Sequence, residues 1–220
     1  MDLQMTKLKQ LNRNNMKNFT ENNFKDLFDK TFISDTERAT KDVQCSKCKV
    51  KSKNNFDGMA RPIHFYPLVC AIDYLRYFKY GGNCDGKQYK QIVNQYIGNY
   101  EANFLYNSFR CGLVHQLQIK SNKLYIFTDD VNDEINTRNY HLKEIEITTD
   151  EQGKFHATIF NLKIFIDDIK NASEKLFSEI FKNKTTDPEP YNRCADWYRG
   201  FILSKKRFNK NNLGIQFFSI

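Results

Sequence analysis

The chain is predicted to be a mainly α protein, a helical bundle with a small antiparallel β-hairpin insertion. Three observations predict it. Apolar residues recur at helical spacing from Leu68 to Phe109, and again from Leu162 to Ile202. Between about residues 123 and 160 the period drops to two. Gly81-Gly82, Gly98-Asn99, Gly153 and Pro188 break these runs, as chain punctuators do. The expected organisation is an N-terminal helix and polar loop region over residues 1–60, partly flexible, then the bundle over 61–220 with its β-insertion at about 123–160.

Residues 1–23 are polar, with Leu3, Leu8 and Leu11 thinly spaced, as in a frayed helix or arm. Phe24, Leu27, Phe28, Phe32 and Ile33 form a helical stripe that docks on the main body. Residues 35–60 are polar and predict a long loop. Pro67 suits the first turn of a helix, where its missing N–H costs nothing. Leu68, Val69, Ile72, Leu75 and Phe78 continue that helix to Gly81. Asp85 caps a second helix through Tyr89, Ile92, Val93, Tyr96 and Ile97. A third starts near Tyr100, with Phe104, Leu105 and Phe109 on one side. Residues 124–127, 144–148 and 155–160 are short strand candidates, expected to pair antiparallel. Asn161 caps the most regular amphipathic helix, from Leu162 to Ile180. A last helix passes through Trp197, Tyr198, Phe201 and Ile202. No internal repeat is found.

The 220 residues are 40% apolar and 27% charged, which fits a globular protein and excludes collagen-like and wholly disordered classes. No stretch approaches the ~18 apolar residues of a membrane span, so no membrane partner is expected. Met1-Asp2-Leu3-Gln4-Met5 lacks the apolar core of a secretory leader, which predicts a cytoplasmic location with reduced cysteines. The net charge of +8 favours polyanionic partners. Lys120 and the run Lys205-Lys206-Arg207 are candidate nucleic-acid contacts, although a basic tail is also an ordinary solvated feature. Cys45-Ser46-Lys47-Cys48 supplies half of a tetrahedral zinc site. His64, Cys70 and Cys84 are possible completions, but no second close pair exists. The expectation is no metal and no cofactor. His64, His141 and His156 are expected at the surface or on strands.

Arg110 and His115 are separated by four residues in Phe109-Arg110-Cys111-Gly112-Leu113-Val114-His115-Gln116, at the end of the third helix. This string resembles the R-x(4–6)-H signature of the HEPN superfamily, small all-α bundles that include many bacterial RNA-cleaving toxins and defence effectors. The resemblance extends loosely over residues 61–182. Active members often carry Asn, Asp or His after the arginine, where this chain has Cys111. The resemblance implies a metal-independent endoribonuclease with Arg110 and His115 as catalytic residues. It also implies RNA as partner, a composite site in a homodimer, and a possible cognate antitoxin or regulator.

The residues suit that chemistry. Attack by the RNA 2′-OH needs a base for its proton and an acid for the leaving 5′-oxygen. Histidine titrates near ~6.5 and serves as either. A guanidinium meets the charge that builds on the phosphate oxygens. Five residues of a regular helix turn through about 500°, so the two side chains lie ~140° apart. Either Gly112 breaks the helix, or two subunits place their pairs across one cleft. Other readings fit the same residues. Arg110 can pair with Glu101 or Asp73, and His115 can be an ordinary histidine at a helix terminus. The chain is then a non-catalytic nucleic-acid- or nucleotide-binding module, or an antitoxin or adaptor. Tyr106 and Tyr125 could stack on a base.

Overall fold

A stripe of phenylalanines places the first helix in the core. The computed structural model describes residues 19–39, 43–44, 51–52, 62–83, 85–116, 125–128, 141–149 and 153–210. Helix α1 (Glu21–Phe32) is capped by Thr20, whose hydroxyl accepts from Asn23 N at 3.2 Å. It buries Phe24, Phe28 and Phe32, one per turn. The Phe24 ring meets Phe177 edge-on at 4.8 Å, Phe78 at 5.3 Å and Trp197 at 5.6 Å. Edge-to-face rings add ~0.5–1.5 kcal/mol per pair beyond their buried area. The segment read as one long polar loop begins instead with a short helix, α2 (Ser34–Ala39). A two-residue antiparallel ladder follows, β1 (Val43–Gln44) with β2 (Lys51–Ser52). Cys45, Cys48 and Cys84 lie outside the described residues.

A 3₁₀ turn (Pro62–Phe65) leads into α3 (Tyr66–Tyr80), with Pro67 in its first turn as expected. Gly81 ends the helix at φ 69°, a conformation that favours glycine. The buried Arg76 guanidinium donates to the carbonyls of Gly81 and Asn83 at 2.9 and 3.1 Å, holding the chain reversal. Asp85 caps α4 (Gly86–Ile92), its carboxylate accepting from Lys87 N at 2.9 Å. The helix then widens into a π-helical stretch, Val93–Ile97. Such widening is rare, and the apolar spacing here did not predict it.

The third helical run also departs from regular geometry. It consists of α5 (Ala102–Phe104), a π-helical stretch (Leu105–Arg110) and α6 (Cys111–Gln116) in direct succession. The Cys111 amide reaches back to Tyr106 O, one residue further than an α-helix would. Tyr100, expected at the start of this helix, precedes it.

The sheet corrects the sequence reading. Strands β4 (Glu144–Thr149) and β5 (Gly153–Asn161) form the expected antiparallel hairpin. Strand β3 (Tyr125–Thr128) pairs parallel to β5, so the sheet is mixed, in the order β3-β5-β4. Burial decides which strand is central. Ala157, Ile159 and Phe160 are buried, so β5 takes the centre and pairs along both edges. Strand β4 runs opposite to β5 on one edge, and β3 fills the other.

Asn161 ends β5 and caps α7 (Leu162–Lys182), accepting from Ile164 N at 3.0 Å. A turn over residues 183–187 precedes α8 (Pro188–Lys210). Helix α7 buries Phe165, Ile166, Ile169, Leu176, Phe177 and Ile180, and packs against α1, α3 and α8. The architecture is therefore mainly helical with a small mixed three-strand sheet. Among the described residues, no helix is long and apolar enough to cross a membrane.

Candidate functional site

Arg110 closes the π-helical stretch and lies against α3. Its Nε donates to Asp73 Oδ2 at 3.0 Å, and the two side chains are only 16% and 20% exposed. Of the two acidic partners considered from sequence, Asp73 is therefore the one bonded to Nε. The guanidinium also lies 5.9 Å from the centroid of Tyr106, and Lys90 Nζ lies 5.5 Å from the same ring. Two cations so gather on one aromatic side chain. Gly86 permits that placement, since a Cβ there would stand 2.7 Å from the Tyr106 ring. Cys70 lies one turn before Asp73 on α3. Burial and then the Asp73 carboxylate push its thiol above the ordinary value, which disfavours a nucleophilic thiolate.

His115 is carried by α6, whose backbone runs as α-helix through the buried Gly112. Gly112 therefore does not break the helix, and a break there cannot turn both side chains toward one phosphate. The His115 side chain lies outside the described residues, as does Lys120. Lys205, Lys206 and Arg207 lie on α8, which continues past Ile202 to Lys210, with their side chains outside the described residues. Tyr125 stacks on Phe104 at 4.3 Å and 14°, so one face of that ring is covered.

The arginine–aspartate pair has a measurable consequence. Arg110→Ala and Asp73→Ala should each cost about 1–3 kcal/mol, because each removes a charged hydrogen bond from a largely buried partner. The double variant should cost less than the sum of the two, by about 0.5–3 kcal/mol. Urea unfolding of the three variants checks this, and strictly additive losses would show that the pair is not coupled.

A second constellation escaped the sequence reading. His64 is buried in the 3₁₀ turn rather than exposed, and His141 is half-buried in a turn before β4. His156 alone sits as expected, on the solvent side of β5 opposite Glu146. Tyr100 Oη donates to Asp168 Oδ2 at 2.7 Å and meets His141 Nε2 at 2.9 Å. Asn161 N donates to His141 Nδ1 at 2.9 Å. Burial holds the Asp168 carboxyl above its ordinary value. Burial and the adjacent Asp168 push the Tyr100 phenol strongly upward, so it stays protonated as a donor. Tyr100 stands 41 positions from His141 and 68 from Asp168, and no local spacing signals their meeting. Among the described residues, no group of three or more His, Cys, Asp or Glu is placed to hold a metal ion.

Comparison with protein-family models, with curated proteins and with solved structures gives no match.

Proposed function

We propose that this chain is a HEPN-like, metal-independent endoribonuclease in which Arg110 and His115 act at a cleft between two copies. The observation that supports the reading is the placement of both residues on one uninterrupted helical run, with the Arg110 guanidinium pre-oriented by Asp73. Gly112 does not break that run, and in a regular helix positions five apart lie ~140° apart, so the reading calls for a second copy. A twofold axis brings a second pair to the same cleft and completes the site. His115 would exchange protons with the 2′-OH and the leaving 5′-oxygen, and Arg110 would hold the phosphate oxygens.

A purified preparation should cut generic RNA in the presence of EDTA. Salt-sensitive RNA binding without cutting would favour a non-catalytic binding module instead. The Arg110–Asp73 pair supports that second reading, since it already partly neutralises the guanidinium. Neither cutting nor binding, together with a co-purifying protein, would favour an antitoxin or adaptor. The composite site also requires a dimer. Light scattering at about 100 μM should give twice the chain mass, because functional dimers form well below that concentration. A strict monomer there would remove the composite site.

A further inference from the structure

Asn161 joins the sheet to the bundle. It is the last residue of β5 and the cap of α7, and it is fully buried. Its backbone N–H donates to His141 Nδ1 at 2.9 Å. A backbone amide can only donate, so Nδ1 holds a lone pair and the neutral ring carries its proton on Nε2. That proton points to Tyr100 Oη at 2.9 Å, and the phenol hydrogen goes on to Asp168 Oδ2 at 2.7 Å. One amide thus sets the direction of every bond in the chain Asn161–His141–Tyr100–Asp168. The neighbouring Leu142 is held at φ 59°, unusual for a residue with a side chain, and its N–H donates to Ile159 O at 2.8 Å.

We propose that His141 is an acid-sensitive lock on this junction, closed while the imidazole is neutral and opened when it takes a second proton. The only ring position open to that proton is Nδ1. Protonation there sets two donors face to face across the 2.9 Å gap to Asn161 N, and the contact must part. The titratable and charged groups around the ring are few among the described residues. Tyr100 precedes α5. Asp168 lies on α7 beside Asp167, which is paired with Lys163 at 2.9 Å. Lys143 and Glu144 follow Leu142 and are exposed. From β5 the ring receives Phe160, edge-on at 5.2 Å.

The signs of the two acid-titrating groups differ. Asp168 has a raised folded pKa, so its own titration favours the folded state as pH falls. Between these two described groups, opening in acid is therefore assigned to His141. The lock also reaches the helical run that bears Arg110. Phe160 packs on His141 and on Phe109, the latter stacked at 4.9 Å, and Phe109 precedes Arg110. The lock is independent of the proposed ribonuclease activity and is tested without it.

Amide hydrogen exchange of the full ¹⁵N-labelled chain, between about pH 7.5 and about pH 5, brackets the ordinary histidine value of ~6.5. After correction for intrinsic exchange, Asn161 should lose about tenfold or more in protection relative to Ile169 in the middle of α7. His141→Asn keeps an acceptor near the Nδ1 position and does not titrate, so its Asn161 protection should stay flat. Asp168→Asn should retain the pH dependence of the wild type. A flat wild-type ratio, an equal fall in His141→Asn, or loss of the pH dependence in Asp168→Asn would each overturn the proposal. If His141→Asn does not fold, the ring ¹⁵N shifts of the wild type decide. Nδ1 should be unprotonated at the upper pH and gain its proton as the Asn161 amide signal moves. A proton on Nδ1 at the upper pH would sink the idea.

Discussion

Replacing His115 with alanine is expected to remove the proposed RNA cleavage while leaving the fold and any RNA binding nearly intact. Loss of a general acid–base group typically lowers the rate by ~10²–10⁴, with little change in ground-state affinity. Arg110→Ala should behave differently. It should weaken both rate and affinity, because a guanidinium touches phosphate before and during reaction. It should also lower stability, because Asp73 loses the donor that now stands 3.0 Å away. Cys111→Asn, which moves the string toward the signature that it resembles, should preserve or raise the proposed activity. If Arg110 and His115 are only structural, the order reverses. His115→Ala would then mainly lower the melting temperature, and no variant would differ in cleavage. Equal cutting by wild type and well-folded His115→Ala, with contaminating nuclease excluded, would retire the reading.

Much of the helical framework was legible because it rests on local rules. Thr20, Asp85 and Asn161 all cap helices with their side chains, and Asp85 and Asn161 were expected to. Gly81 and Gly98 stop helices at positive φ, where other residues would be strained. The amphipathic run from Leu162 to Ile180 emerged as α7 with those residues at its buried face. What was not legible depended on distant partners. That β5 takes the centre follows from which strand is most buried, and the parallel run of β3 beside it is set by how the intervening chain returns, both properties of the whole fold. The π-helical stretches keep the apolar spacing of an α-helix closely enough to pass for one.

The candidate site divides in the same way. Arg110 stands in a short distinctive string, and Asp73 is one of two acidic residues that the sequence offers it as a partner. Nothing in the spacing of Tyr100, His141 and Asp168 links them. Their meeting depends on β5 and α7 sharing Asn161, so only the folded chain reveals it.

Phe109→Ala should be among the most destabilising single changes in the chain, at about 3–5 kcal/mol. The ring is fully buried and belongs to neither element alone. It meets Phe104 at 5.0 Å from its own helical run and Phe65 at 5.4 Å from the 3₁₀ turn. From the sheet it receives Phe160 at 4.9 Å and Phe127 at 5.6 Å. Truncation would therefore open a cavity between two layers that cannot close without shifting the sheet. Against a typical total of about 5–15 kcal/mol, that loss is a large fraction of the stability of the fold. Phe109→Leu keeps most of the volume and should cost about 1.5 kcal/mol or less. Urea unfolding midpoints at constant slope separate the two variants. The comparison with His115→Ala then isolates chemistry from packing. Phe109→Ala should lower cleavage only in proportion to the protein that unfolds, whereas His115→Ala should lower it at full folding. A Phe109→Ala cost below about 1 kcal/mol would mean that the sheet does not rest on this ring.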